Sequence, residues 1–439
     1  MKIEEQAKQL NSRDLKSIPN GWRLMNIGDI GNIVTGSTPS TNNEKFYNGE
    51  WLFISPSDIG FKKYIVDSIK KLSDEGIKVS RKLPVGTVAV TCIGELGKVG
   101  ILQKECATNQ QINAVICDSD IIDNEYFYYA MQQYKGQLNI IAGLQVVPIV
   151  NKTQFSRIVL PVPTNLSEQK KIAEVLASID NVIETTKQLI DKYKKVKQGL
   201  MQDLFTRGIQ PDGKLRPKYE EAPELYKPTQ LGFLPKDWDD ELLENLTEKI
   251  IDGTHATPRY TEVGVPFLRV TDIQDRLINF NNLKYISRKE HEELIKRCKP
   301  EYGDILYSKN GTVGIPKVVD WKWEFSIFVS LALIKPKKNI VYNKYLYYLL
   351  QSFLVSRQIM KRAKQGTVTN LHLEEIREFI IPLPKYEEQI LIANALTAID
   401  NKINKEEEYL EKLETIKKGL MQDLLTGKVR VKVEGDRDE

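Results

Sequence analysis

At 439 residues and a net charge of +4, with 41% hydrophobic and 28% charged side chains, the chain has the composition of a water-soluble folded protein too long for one core. No stretch approaches the roughly 18 apolar residues of a membrane span, and Met1–Asp14 lacks the apolar centre of a secretory signal. Four scattered cysteines (Cys92, Cys106, Cys117, Cys298) and three histidines argue against a zinc site and fit a reducing cytoplasm, where the chain is expected to act.

In chain order, residues 1–19 read as an N-terminal extension with a faint echo of residues 215–234. Residues 20–160 then read as a mixed, mostly β domain. VAVTCI (88–93) and NAVIC (113–117) are short apolar runs bounded by Gly and Asn, which predicts strands. Residues 123–135 predict a helix. Segment 161–215 opens on Pro161-x-Pro163 and carries a long helical stripe: Ile172, Leu176, Ile179, Ile183, Ile190, Tyr193, Leu200 and Leu204, interrupted at Thr186 and Lys197. Steps of three and four sustained this long predict a coiled-coil seam, with Ser167 as the expected cap. Residues 216–381 form a linker and a second mixed domain, with strands expected at DILYS (304–308) and VSLALI (329–334) and a helix at 343–360. Segment 382–428 repeats the stripe as Ile392, Leu396, Ile399, Ile403, Leu410, Leu413, Leu420 and Leu424, interrupted at Glu406 and Lys417. A charged tail, 429–439, closes the chain.

The repeat is the strongest signal. Glu168–Thr206 aligns with Glu388–Thr426 without a gap, roughly half the positions are identical, and both end in GLMQDL. Matching helices that pair with each other explain both the narrow stripe and the likeness. Chain economy predicts an antiparallel pair, because the second domain must join the end of one helix to the start of the other. The domains also correspond, more faintly. Pro19-Asn-Gly-Trp22 answers Pro235-Lys-Asp-Trp238, and Gly36-Ser-Thr-Pro39 answers Gly253 through Pro258. Phe53 to Ile59 answers Phe267 to Ile273, Gly97-Lys-Val-Gly-Ile101 answers Gly311-Thr-Val-Gly-Ile315, and Tyr126 to Tyr129 answers Tyr345 to Tyr348.

This duplicated set, with its Pro-x-x-Trp starts, Phe-x4-Asp-Ile strands, Pro-x-Pro-to-Glu-Gln helix entries and GLMQDL exits, resembles the DNA-specificity subunit of type I restriction–modification enzymes over nearly the whole chain. The resemblance implies an α+β fold in which two mixed, mostly β target-recognition domains are separated by a long antiparallel two-helix coiled coil, with pseudo-two-fold internal symmetry. It implies two copies of an adenine methyltransferase (modification) subunit as partners, together with motor-nuclease restriction subunits. S-adenosylmethionine, ATP and Mg²⁺ would then reside in those partners, with no cofactor in this chain.

The residues agree that the chain has no chemistry of its own. GELGKVG lacks the spacing of a phosphate-cradling loop, its glycines shape a turn, and no methyltransferase Asn/Asp-Pro-Pro-aromatic motif is present. Sequence reading instead needs donors and acceptors for base edges and cations for phosphates. In the first domain the candidates are Asn42, Asn43, Lys45, Ser55, Ser57, Lys62, Lys63, Asn109, Gln110, Gln111 and Gln145. In the second they are His255, Thr257, Arg259, Tyr260, Arg269, Lys309, Asn310, Thr312, Lys364, Gln365, Thr367 and Thr369. Asp58 and Asp272 are expected to fix loops, since a carboxylate beside phosphate is unfavourable. Gln202, Asp203, Gln422 and Asp423 cannot all serve the apolar seam, which makes them candidate partner contacts; a helix-end packing motif is the competing reading. The rivals to the whole assignment are an enzyme, a nuclease or methyltransferase with an unrecognised site, and a coiled-coil scaffold that binds proteins alone.

Overall fold

The computed structural model describes residues 18–143, 146–362 and 370–432. They divide into two compact units: the described residues up to Lys187 together with those from Glu408 on, and Gln188–Glu407. Each unit therefore holds one mixed domain, the first part of one long helix and the last part of the other.

In the first unit, Val88–Thr91 lies at the centre of a five-stranded sheet, and its four residues are all buried. A short β-branched run with no polar alternation is what a strand covered on both faces requires. The order is Gly31–Thr35, Ile112–Cys117, Val88–Thr91, Val99–Leu102, Tyr64–Ile65; all neighbours are antiparallel except the last pair. A second sheet orders Lys70–Leu72, Tyr47–Ile54 and Cys106–Thr108. Helix Asn124–Tyr134, capped by the Asp123 carboxylate, buries Tyr126, Phe127, Tyr129 and Met131 against the first sheet.

The second unit repeats this plan. Its first sheet runs Thr247–Asp252, Leu331–Pro336, Ile305–Ser308, Pro316–Val318, and its second runs Tyr260–Thr261, Lys284–Ile286, Val265–Leu268, Ser326–Ile327. The predicted strands are found with small shifts at their ends. The helix expected at 343–360 is two, Asn343–Leu350 and Phe353–Arg362.

One expected correspondence shifts by three residues. Gly97 N donates to Thr91 O, and Gly314 N donates to Ser308 O. Thr91 Oγ1 accepts from Lys98 N at 3.0 Å, as Ser308 Oγ does from Ile315 N at 2.8 Å. Gly94-x-x-Gly97 therefore answers Gly311-x-x-Gly314, and all four glycines have positive φ. The tight turn fixes the equivalence; the Gly-x-Val-Gly-Ile likeness is a coincidence of composition.

The long helices span Leu166–Thr206 and Tyr386–Leu425, each about 60 Å at 1.5 Å per residue. Asn165, not Ser167, caps the first: its Oδ1 accepts from Ser167 N at 2.8 Å, because the helix starts two residues earlier than expected. Ile172, Leu176, Ile183 and Ile190 are buried along one stripe, as are Ile392, Leu396, Ile399 and Ile403 along the other. In the first unit Asp180 pairs with Lys417 and Lys187 with Glu414; in the second Lys194 pairs with Glu407 and Lys197 with Asp400. Numbers that rise on one helix and fall on the other define antiparallel pairing. The lysines that interrupt the stripe are thus partners of aspartates across the seam.

The helix exits are packed into the domains. Leu424 and Leu425 join the core that holds Trp22 and Phe127, while Met201, Leu204 and Phe205 join the one that holds Trp238 and Tyr345. Fully burying a side chain of this size contributes about 2–3 kcal/mol, so each exit anchors the domain of its own unit. Among the described residues no helix is long and apolar enough to cross a membrane.

Candidate nucleic-acid interface

In the first unit three loops are tied together at their roots. Gly36 N donates to Ile112 O, Ser37 N to Thr108 O and Asn109 N to Ile54 O. Loop 36–46, turn 55–58 and turn 109–111 therefore leave the two sheets at one place. Thr38 Oγ1 donates to Gln110 Oε1 at 2.5 Å, while Asn109 and Gln111 bond to each other at 2.8 Å. Asn43 caps the short turn that carries Lys45, and Asn42, Lys45, Ser57 and Gln110 are exposed. Asp58 holds its loop as expected, accepting from Ser55 N and Oγ and from Ile69 N.

The second unit has the same roots. Gly253 N donates to Leu331 O, Thr254 N to Ile327 O and Val270 N to Ser330 Oγ. Asp272 accepts from Arg269 N at 2.8 Å, the bond Asp58 makes with Ser55 N, and binds the Arg269 guanidinium as well. His255, Thr257, Arg259, Tyr260 and Thr312 are exposed here. His255 Nε2 lies 3.2 Å from Asp252 Oδ2, and Arg297 Nη2 lies 2.7 Å from Oδ1. Burial alone would raise the Asp252 pKa, but the Arg297 hydrogen bond and the nearby Lys309 and His255 hold it below the usual carboxylate range. The outcome is a fixed anion that orients two exposed polar side chains, His255 and Arg297.

Two expected cations are turned inward. Lys309 is 6% exposed and pairs with Asp252; Lys63 pairs with Glu125 and sits over the Tyr129 ring at 4.7 Å. Both offset a buried or half-buried carboxylate, which leaves neither head free for phosphate. Lys62 is exposed, and Asn310 is half-buried beside Asn370. Gln145, Lys364, Gln365, Thr367 and Thr369 lie outside the described residues. Sequence reading missed Arg297, which nothing in its local run distinguishes; only the fold brings it to Asp252.

The root glycines are fixed by close approach. A Cβ on Gly36 would overlap the carbonyl oxygens of Thr108 and Asn109, and one on Gly253 would overlap Ile327 O. Gly36→Ala is expected to displace the first loop and cost about 1–3 kcal/mol, as overpacking does. The check is denaturant unfolding together with DNA binding. Unchanged stability and unchanged DNA recognition would show that the root tolerates a side chain.

Each domain is clamped to its helices by a buried carboxylate. Glu388 accepts two hydrogen bonds from the Arg216 guanidinium, at 2.5 and 3.0 Å, and one from Trp238 Nε1 at 3.1 Å. Glu168 is bound in the same way by Arg430, at 2.5 and 2.7 Å, and by Trp22 Nε1 at 3.3 Å. Gln169 and Gln389 bind backbone groups at both helix entries. The recurring Pro-x-x-Trp and Glu-Gln motifs are thus two sides of one joint.

Of the candidate partner contacts, Gln422 accepts from Gln133 Nε2 at 2.9 Å, and Asp423 pairs with Lys428. Asp203 pairs with Arg207. Gln202 and Asp203 line an open cavity of about 420 Å³ with Arg207, Tyr219, Tyr226 and Phe233.

The model of the type I restriction modification DNA specificity domain matches this chain twice, over residues 19–195 and 235–415. The MjaVIII specificity subunit of a type I restriction enzyme from Methanocaldococcus jannaschii is 26% identical over 98% of the chain and 97% of its own length. The EcoBI specificity subunit from Escherichia coli is 25% identical over 89% of the chain and 82% of its own length. The crystal structure of a type I restriction–modification S subunit from M. genitalium covers 93% of the chain and 96% of its own length, with a TM-score of 0.57 at 17% identity, a likeness of fold.

Proposed function

Since the chain belongs to the type I restriction–modification DNA specificity family, we propose that each unit reads one half of an asymmetric, bipartite double-stranded DNA target. The observation that carries this reading is a scaffold used twice with different tips. The same order of the shared strands and the same glycine roots hold up Asn42, Lys45 and Gln110 in one unit and accompany His255, Arg259 and Arg297 in the other. Equal roots and unequal tips suit two readers of unlike sequences, since base edges are distinguished by the placement of donors and acceptors. Modest net charge fits a subunit whose affinity is completed by partners.

In this proposal the chain carries out no chemistry. Two modification subunits bring S-adenosylmethionine and methylate adenine N6, and motor-nuclease subunits with ATP and Mg²⁺ add cleavage, all in the cytoplasm. The matched helix pair is expected to set the spacing of the half-sites, and Gln202 with Asp203 and Gln422 with Asp423 are candidate contacts for the two modification subunits. The test maps adenine methylation across the genome of a host that expresses the chain with the methyltransferase encoded beside it, against a host lacking the chain. A split motif that is methylated only when the chain is present is expected. Chain-independent methylation, with the partner folded and bound, would favour the protein-only scaffold.

A further inference from the structure

The two units differ at the edge of their main sheets. In the first, residues 55–69 leave the Tyr47–Ile54 strand and lay Tyr64–Ile65 along the edge of the main sheet, with Ile101 N donating to Lys63 O and Gln103 N to Ile65 O. This puts the Lys63 ammonium 5.4 and 4.7 Å from the Tyr128 and Tyr129 ring centres, paired with Glu125. Tyr129 in turn donates to Asp180, which binds Lys417 across the helix pair. The niche formed by sheet edge, helix and helix pair is filled by the unit's own chain.

In the second unit the equivalent segment, 269–283, has the same length but forms no edge strand, and Pro316–Val318 ends the sheet. What remains is a cavity of about 580 Å³ whose lining includes Lys317, Lys344, Tyr347, Tyr348 and Asp400. Two substitutions account for the difference. Gly100 leaves room for Ile65, since a Cβ there would lie 2.6 Å from Ile65 Cδ1. By the turn equivalence its counterpart is Lys317, whose Nζ instead holds the carbonyls of Asp275 and Arg276. Second, Glu125, one residue before Tyr126, corresponds to Lys344, one residue before Tyr345; both tyrosines donate to a proline carbonyl at the helix entry. The niche keeps its two tyrosines and its aspartate–lysine pair, and its rim carries Asp275 and Asp320, but beside the tyrosines a lysine, Lys344, stands where the first unit has Glu125.

We propose that this niche in the second unit is a docking site for an extended, acidic segment of a partner protein, whose carboxylate takes beside Lys344 the place that Lys63 takes beside Glu125. A peptide is favoured over a phosphate because the first unit fills the same concavity with an extended strand, and because the walls are aromatic on one side. The site is independent of base reading, so its failure and that of the two-reader proposal are separable.

The test uses the full-length chain and a labelled synthetic peptide of Ile59–Ser68 carrying Lys63→Glu, to meet Lys344, and Ile65→Gly, to clear Lys317. Its affinity, read by fluorescence polarisation, is compared with that of the same peptide retaining Lys63. The acidic peptide is expected to bind about five- to tenfold more tightly, a preference that Lys344→Gln abolishes and Lys344→Glu reverses. Circular dichroism of both variants, which alter an exposed residue, confirms folding. Equal affinities, no binding at millimolar peptide, or a Lys344→Glu effect confined to duplex DNA would overturn the assignment.

Discussion

Replacing Arg216 with alanine is expected to destabilise the second unit by about 3–5 kcal/mol, because it strands the Glu388 carboxylate in a buried site. Both side chains are only 11% exposed, and the guanidinium supplies two of the hydrogen bonds that hold that carboxylate. Trp238 Nε1 and Ile209 N remain as donors, too few to compensate for a lost cation. Adding Glu388→Gln should recover part of the loss: no charge is left unpaired, but Ile209 N and Trp238 Nε1 reach different carboxylate oxygens, and the amide oxygen can accept from one of them only. Arg430→Ala should cost less. Its side chain is 47% exposed, and water can replace it beside Glu168. Urea unfolding of the three variants followed in the full chain reads the order directly. A loss below about 1 kcal/mol for Arg216→Ala would show that the joint is not a principal anchor.

Removing Gln188–Lys194 and Glu407–Leu413 together is expected to shorten the gap between half-sites by about three base pairs while leaving both half-site sequences unchanged. One heptad is about 10 Å of helix, and DNA rises about 3.4 Å per base pair. The two deletions keep Lys187 opposite Glu414 and Lys197 opposite Asp400, and they preserve the seam frame. Methylome mapping of the variant with its partner methyltransferase gives the answer. A changed half-site sequence, or an unchanged gap, would show that the helices do not set the spacing.

The joint illustrates how much of the fold could be read directly. Trp22 and Trp238 recur in one motif and Glu168 and Glu388 in another, so their importance was visible, but not their contact across 146 and 150 residues. The arginines that complete the joint follow the helix exits at different distances, which hid them from any alignment of repeats. Helices were legible because a period of three and four survives in one dimension. The interrupting lysines were legible as interruptions only, since their aspartate partners lie on the other helix.

The candidate interface divides in the same way. Glycine at 36 and 253 marked the loop roots, because a close backbone approach leaves a residue type as its trace. Lys63 and Lys309 looked like phosphate contacts because a lysine in a polar run carries no sign of the carboxylate that will neutralise it. Arg297 went unnoticed for the converse reason, since nothing in its local run points to Asp252.

By itself, the sequence determined the duplication, the two domains, the long helices and their seam, all of which rest on local periodicity or on residues that recur in order. Tertiary structure alone decided which charges meet. It set the antiparallel ion pairs, the buried Arg–Glu–Trp joints, the inward turn of Lys63 and Lys309, and the niche that one unit fills and the other leaves open. Periodicity is written along the chain, whereas the desolvation of a charge depends on neighbours that folding brings from far away.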